Sequence, residues 1–291
     1  MTNKTANKLK DWLELTKLKI MIPVSLTGFT GYIAFDPHFS SKVFLSSFGI
    51  LLLAISASVL NQIQEVELDG KMKRTCIRPL PAKKIRIQYA MLFFLFNFIF
   101  GIAIISYAGN FKAALVGLIT IIWYNGIYTY SKRITAFAVV PGAITGALPP
   151  LIGWVAAGGG LWDKPVIFIE FLIFTGQIPH FWLLILKYGE EYKQAGIPSL
   201  TDIFDRAQIK RLTFTWVISS VVAALFLCCF EIIQSPVINI ILVSVSIYMV
   251  WQFIDLLRVD TNQNNYRRYS VFLNSYFLLV LLLLISDRII M

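Results

Sequence analysis

The chain has 291 residues, of which 57% are hydrophobic and only 14% are charged, and its mean hydropathy is +0.70. Because about a quarter of the residues are charged in an ordinary soluble domain, these values exclude a soluble globular protein. The formal net charge of +10 does not require a nucleic-acid partner, because basic residues also collect in the loops on one side of a membrane protein.

Nine mostly apolar segments follow one another along the chain, and each is long enough as a helix to cross about 30 Å of hydrocarbon. The predicted spans are 20–35, 43–62, 87–107, 111–130, 136–157, 165–187, 212–233, 236–256 and 270–286. Runs such as 50–55 and 278–285 are continuously apolar, unlike the alternating strands of a membrane β-barrel. The sequence therefore predicts an all-α integral membrane protein with nine transmembrane helices in a single domain, 1–291.

The basic residues are distributed very unevenly between the two sets of loops. If all nine spans cross, 22 of the 26 Lys and Arg residues lie on the side of the N-terminus. By the positive-inside rule, this predicts a cytoplasmic N-terminus, an external C-terminus and a multi-pass protein of the inner (cytoplasmic) membrane. Anionic membrane lipids are the expected partners of the basic face.

The end of the second span carries a pattern of carboxylates followed by cations. Asn61, Glu65 and Asp69 recur every four residues, so in a continuous helix they would share one face. The cations that follow are Lys73, Arg74 and Arg78. Mg²⁺ is usually held by one or two carboxylates plus substrate phosphates, and Arg and Lys neutralise phosphate charge. The pattern predicts a magnesium–diphosphate site, although mutual pairing in a solvated loop would also explain it.

A second acidic cluster occurs at the end of the sixth span, where a loop on the same side begins. Its members are Lys187, Tyr188, Glu190, Glu191 and Tyr192. Two carboxylate clusters facing one diphosphate would suit one or two magnesium ions. Lys132 and Arg133 precede the fifth span on this side, where they either join the phosphate site or only set the topology.

His180, within Pro179–Trp182 of the sixth span, is one of only two histidines. An ionisable residue inside the membrane is commonly functional. His180 is therefore either a hydrogen-bonded packing residue or a contact to an acceptor substrate, as an axial ligand to haem iron or as a proton acceptor.

These motifs together resemble the UbiA superfamily of intramembrane prenyltransferases and, within it, the protohaem IX farnesyltransferase family. The stretch from Asn61 to Leu80 fits the pattern NxxxDxxxDxxMxRTxxRPL, with glutamate at position 65. Residues 128–135 resemble YTxxKRxT, 179–182 match PHFW, and 16–20 resemble TKPRI. The segment 191–198 resembles DYxxAGVP, with Glu191 at the first position.

The resemblance implies a nine-helix bundle around a central cavity, with Mg²⁺ as cofactor and farnesyl diphosphate and haem B as substrates. The implied catalytic residues are Asn61, Glu65, Asp69 and Glu191, and the implied metal ligands among them are Glu65, Asp69 and Glu191. The implied diphosphate-binding residues are Lys73, Arg74, Arg78, Lys132, Arg133 and Tyr192, and His180 is the implied acceptor-binding residue. Enzymes of haem A synthesis or terminal oxidase assembly are the implied downstream partners.

Two alternatives remain open from the sequence. The first is UbiA-type prenyl transfer to another acceptor, such as an aromatic quinone precursor or a lipid. The second is a transporter or a non-catalytic haem-handling protein, for which an internal repeat would be expected.

Overall fold

The computed structural model of the protein describes residues 2–258 and 263–291, and it describes side chains for 8–258 and 266–291. The first half of the chain forms α1 (Thr2–Thr16), α2 (Leu18–Phe35), α3 (Ser41–Gln64), α4 (Val66–Lys71), α5 (Ile87–Ala108), α6 (Phe111–Ile121), a π-helix (Ile122–Tyr128) and α7 (Thr129–Ser131). The second half forms α8 (Val139–Ala156), α9 (Lys164–Gln194), α10 (Arg206–Cys229), α11 (Pro236–Ile254) and α12 (Gln263–Ile290), with 3₁₀ turns at Leu200–Asp202 and Asp255–Leu257.

Nine helical segments among the described residues are long and apolar enough to cross a membrane. They are α2, α3, α5, the composite helix Phe111–Ser131, and α8 to α12. The predicted all-α architecture with nine spans is therefore confirmed.

The helix ends differ from the predicted spans in ways that matter for the acidic clusters. The sixth span continues to Gln194 as part of α9, so Glu191 lies on a helix rather than in a loop beyond it. The seventh span begins at Arg206, earlier than predicted, because Asp205 and Gln208 form a capping box that satisfies free N–H groups of its first turn. It ends at Cys229 rather than at 233.

The expectation of one continuous helical stripe is wrong in detail. α3 ends at Gln64, Glu65 has φ −106° and ψ 12°, and the chain starts again as α4. The backbone N–H of Asp69 nevertheless donates to the carbonyl of Glu65, at 2.8 Å. The break therefore bends the chain and keeps the two carboxylate residues close.

Helices α2 and α8 cross in close contact because glycine faces backbone there. A Cβ at Gly153 would collide with the carbonyl of Gly28, and a Cβ at Gly31 would collide with the backbone of Pro150. The fifth span, α8, is a single helix that runs through Pro149 and Pro150.

α9 packs against α8, α10 and α12, and α12 packs in turn against α2 and α11. α9 is 31 residues long, so at 1.5 Å per residue it extends about 46 Å, beyond the roughly 30 Å of hydrocarbon. Its C-terminal turns lie at the same end of the bundle as the loop that follows α4, because the backbone N–H of Arg74 in that loop donates to Glu191.

Candidate active site

The two acidic motifs meet at one end of the bundle. The backbone N–H of Arg74, in the loop after α4, donates to Oε2 of Glu191 on α9 at 3.1 Å. The Arg74 guanidinium lies 5.1 Å from the centre of the Tyr188 ring. Segments more than 100 residues apart in sequence thus form one site, as the shared membrane face of the motifs predicted.

Asp69 is the most deeply buried carboxylate of this site, at 3% exposure. Its Oδ2 lies 2.7 Å from Nη1 of Arg78. The hydroxyl of Thr75 donates to the Asp69 carbonyl at 2.8 Å, which ties the cationic loop back to α4. This loop is therefore folded over the carboxylate rather than extended into solvent.

Glu65 forms the second carboxylate–cation pair. Its Oε1 lies 2.6 Å from Nζ of Lys132, and both side chains are largely buried. Its Oε2 accepts from Nδ2 of Asn61 at 2.9 Å, and the same amide donates to the hydroxyl of Thr129 at 3.0 Å. The second span and the end of the fourth span are joined through this network.

A π-helix shapes this part of the site. Local π-helical turns are rare and are often found at functional sites. The segment Ile122–Tyr128 delivers Tyr128 beneath Lys132, whose Nζ lies 4.9 Å from the ring centre. Gly142 on α8 leaves room for that ring, because a Cβ there would collide with it. No sequence signal pointed to the π-helix.

Lys17 is a site residue that the motif analysis used only for family resemblance. It joins α1 to α2 in a left-handed conformation, with φ 49° and ψ 40°, which places its side chain among the charged groups of the site. Burial and then the nearby Arg78 lower the pKa of Lys17 from 10.5 to about 7, while Asp69 and Glu65 act in the opposite direction. Among the described residues no acceptor is hydrogen-bonded to its ammonium group.

The remaining predicted phosphate residues are placed unequally. Tyr192 lies beside Lys132, and the two line a narrow cavity that reaches Phe181. Arg133 instead donates to the carbonyl of Gln64, at 2.7 Å, and so caps the end of α3. Lys73 is exposed, and the structure shows no contact that draws its side chain into the site.

His180 lies apart from these charges, deeper in the membrane. α9 is continuous from His180 to Glu191, 11 residues later, so the two are separated by roughly 16 Å along the axis. Nδ1 of His180 is buried without a hydrogen-bond partner, as is Nε1 of Trp182, whose ring packs edge-on against Trp216.

The carboxylate oxygens of the site suit a magnesium ion in their chemistry. Among the described residues no three Asp, Glu, His or Cys side chains form a cluster that could hold a metal by themselves. Mg²⁺ does not need such a cluster, because substrate phosphates and water normally complete its coordination. A metal at this site would therefore need ligands from a diphosphate and water, and the assignment of Glu65, Asp69 and Glu191 as its protein ligands stays a prediction.

Comparison with known sequences gives a consistent result. The sequence model of the UbiA prenyltransferase family matches residues 21–276. The chain is 33% identical over 226 residues to the protoheme IX farnesyltransferase of Nitratidesulfovibrio vulgaris, covering 78% of this chain and 79% of that protein. It is 37% identical over 199 residues to the protoheme IX farnesyltransferase of Cytophaga hutchinsonii, covering 67% and 68%.

Two solved structures have the same fold. A digeranylgeranylglyceryl phosphate synthase superposes with a TM-score of 0.77 at 22% identity, covering 98% of this chain and 100% of that one. A UbiA homologue from Archaeoglobus fulgidus, bound to DMAPP and Mg²⁺, superposes with a TM-score of 0.69 at 17% identity, covering 93% and 99%.

Proposed function

Because the chain belongs to the UbiA prenyltransferase family, we propose that it transfers the farnesyl group of farnesyl diphosphate to a vinyl group of haem B, forming haem O. The observation that carries the proposal is the convergence of both acidic motifs and their cations at one end of the bundle. The names of the curated relatives support the choice of haem as acceptor.

The diphosphate would bind among Arg78, Lys132 and Lys17. Two of these cations are now paired with carboxylates, and the third has no bonded acceptor among the described residues. A diphosphate offers several anionic oxygens to the three cations, and charge-assisted hydrogen bonds of this kind are the stronger ones. Arg74 and Tyr192 lie at the edge of the same site and would contact the outer phosphate.

Glu65, Asp69 and Glu191 would hold magnesium, which supplies Lewis-acid neutralisation of the diphosphate charge. The protein's own cations act in the same direction. They stabilise the negative charge that develops on the diphosphate as the allylic C–O bond breaks and its electron pair leaves with oxygen. Asn61 holds Glu65 in place for this purpose.

The acceptor reaction would take place deeper in the membrane than the diphosphate. The vinyl π electrons of haem B form the new C–C bond to the allylic carbon, and water then adds to the resulting porphyrin-side cation and loses a proton. Lys132 and Tyr192 line one small pocket together with Phe181, so the charged site adjoins the residue that precedes Trp182 and follows His180. His180, next to Phe181, is the residue that would contact the haem.

The charged site would face the cytoplasm of the inner membrane. The excess of basic residues on the side of the N-terminus supports this orientation. Farnesyl diphosphate is water-soluble at its head and would reach the site from that side. Haem B would come from the membrane, and haem O would pass to haem A synthesis or to terminal oxidase assembly.

The experiment incubates purified protein with haem B, farnesyl diphosphate and Mg²⁺, and identifies the pigment by mass. A one-farnesyl-plus-water adduct is expected from the wild type and not from Glu65→Gln. A folded wild-type protein that binds farnesyl diphosphate without modifying haem B would overturn haem as acceptor. Parallel reactions with an aromatic quinone precursor and a lipid acceptor would then identify the acceptor class.

A further inference from the structure

The π-helix Ile122–Tyr128 is joined to α3 by a reciprocal pair of amide side chains. Asn125, which is 4% exposed, lies at the centre of the π-helix, and Gln64 is the last residue of α3. Nδ2 of Asn125 donates to Oε1 of Gln64 at 3.1 Å, and Nε2 of Gln64 donates to the backbone carbonyl of Asn125, also at 3.1 Å. Nδ2 of Asn125 donates in addition to the carbonyl of Ala57 at 3.0 Å, about two turns earlier in α3. The π-helix is thus tied to α3 at two levels.

The residues next to this amide pair belong to the charged site. Glu65 follows Gln64 directly, and Lys132 lies seven residues after Asn125. Nζ of Lys132 and Oε1 of Glu65 are 2.6 Å apart. Arg133, beside Lys132, donates to the backbone carbonyl of Gln64 at 2.7 Å. Gln64 is therefore held by both its side chain and its backbone, immediately before the carboxylate that pairs with Lys132.

A π-helix is an unusual structure that needs specific support. The backbone N–H of Thr129 donates to the carbonyl of Tyr124, five residues earlier, which is the π pattern, and such turns are rare and short. If the segment relaxed to an α-helix, the chain beyond it would shift by about one residue, or roughly 100° around the helix axis. Lys132 would then no longer face Glu65. The amide pair opposes this change because it holds the π-helix at its centre.

The Asn125 amide is better explained by helix register than by stability. Its Oδ1 is buried without a hydrogen-bond partner among the described residues, and a buried unpaired polar atom is unfavourable. A leucine of similar size would avoid that loss. Buried amides are known to fix one register of packed helices at some expense in stability. Both hydrogen bonds donated by the Asn125 side chain go to α3, so the register in question is that of the fourth span on α3.

We infer that Asn125 and Gln64 are positioning residues, which hold the π-helix in register on α3 and thereby keep Lys132 at the diphosphate site. This inference rests on the proposed function, in which Lys132 binds the diphosphate. Both side chains are neutral and act through Lys132 rather than on the substrate.

The test measures the affinity of detergent-purified, full-length protein for farnesyl diphosphate in the presence of Mg²⁺. Asn125→Leu keeps the approximate size of the side chain and removes its hydrogen bonds to α3. Its affinity should fall by about ten-fold, because one charge-assisted contact to the diphosphate is no longer held in place. Gln64→Met removes the other half of the pair and should have an effect of similar size.

Two further measurements separate a positioning role from a general packing role. In a Lys132→Ala background, Asn125→Leu should lower the affinity by less than about two-fold, because residues that act through one group are not additive. A general packing defect would instead weaken binding equally in both backgrounds. The double variant Gln64→Asn with Asn125→Gln exchanges the two amides and should recover part of the affinity that Asn125→Gln alone loses.

Asn97→Leu is the matched control. Asn97 is a buried asparagine of α5, 3% exposed, and its amide donates to the carbonyl of Phe93 in its own helix at 2.7 Å. The substitution is chemically the same as Asn125→Leu but touches no contact between α3 and the fourth span. The affinity for farnesyl diphosphate should stay within about two-fold of wild type.

The inference is overturned if folded Asn125→Leu binds farnesyl diphosphate with wild-type affinity, or if its effect adds in full to that of Lys132→Ala. If Asn125→Leu does not fold, the double variant Gln64→Met with Asn125→Leu is scored in the same way, because replacing both partners by apolar groups leaves fewer unpaired polar atoms. Loss of the fold in that variant too would make the pair purely structural and overturn the inference. Failure of the proposed function looks different, since the wild type itself would then not bind farnesyl diphosphate.

Discussion

Asp69→Asn is the substitution that most directly tests the charged site. The change keeps the shape of the side chain and removes one negative charge from a group that is 3% exposed and lies 2.7 Å from Arg78. A charge-assisted hydrogen bond contributes about 1.5–3 kcal/mol and a neutral one about 0.5–1.5 kcal/mol. Because Arg78 also loses its charged partner at a largely buried position, the cost to stability should exceed the difference between these two ranges and reach about 2–3 kcal/mol.

The activity of the folded variant should fall steeply. Removal of one preorganised group that stabilises developing charge typically costs about 100- to 1000-fold in rate, and Asp69 is both a candidate metal ligand and the partner of a diphosphate cation. The assay measures farnesyl transfer at saturating substrates, together with thermal unfolding. Glu67→Gln is the matched control, because Glu67 is exposed and only two residues away. Turnover within about two-fold of wild type in folded Asp69→Asn would return the acidic stripe to the interpretation of a self-neutralising loop.

Four further predictions concern binding, protonation, the acceptor and topology. Arg78→Ala should raise the KM for farnesyl diphosphate by roughly ten- to hundred-fold, as expected for one charge-assisted contact, and an unchanged KM would remove Arg78 from the diphosphate site. The pKa of Lys17 is lowered to about 7, so its ammonium form is lost as the pH rises from 6 to 8, and the affinity for farnesyl diphosphate should fall over the same range. Lys17→Arg should reduce this pH dependence. Identical profiles of affinity against pH in the wild type and in Lys17→Arg would contradict the assignment of Lys17 to the diphosphate site. His180→Ala should leave the affinity for farnesyl diphosphate near wild type and weaken haem binding. Weaker farnesyl diphosphate binding with normal haem binding would instead assign His180 to the diphosphate site. Cysteines introduced by Lys83→Cys and Met291→Cys in a cysteine-free background should react with an impermeant reagent from opposite sides of the membrane, and reaction of both from one side would show that the span count or the orientation is wrong.

The sequence predicted the elements of this protein well because length and apolarity alone specify membrane helices. It also predicted that Asn61, Glu65 and Asp69 belong together, since local spacing carries that information. It could not predict the bend at Glu65, because the neighbouring residues carry no Gly or Pro. The extension of α9 through Glu191 was missed for a related reason, since a charged helical turn outside the membrane lacks an apolar signature.

Pairings between distant segments could not be read from the sequence. Glu65 pairs with Lys132, 67 residues away, and the motif analysis had assigned the two to different functions. Lys17 entered the sequence analysis only as part of the motif at residues 16–20. Its place in the site depends on a left-handed backbone conformation, which a lysine at that position does not indicate.

The cations and carboxylates of the charged site neutralise one another in the absence of ligands, and this should couple the binding of diphosphate to the binding of magnesium. Arg78 and Lys132 now neutralise Asp69 and Glu65, which are the carboxylates that would hold a divalent cation. A diphosphate arriving alone would take the cations and leave buried carboxylates unpaired, and a divalent cation arriving alone would displace the cations from their counterions. Each separate event leaves uncompensated buried charge, which is strongly unfavourable. When both ligands bind, the two paired cations exchange a carboxylate for a phosphate and the two paired carboxylates exchange a cationic side chain for magnesium, so we expect farnesyl diphosphate and magnesium to bind with positive cooperativity.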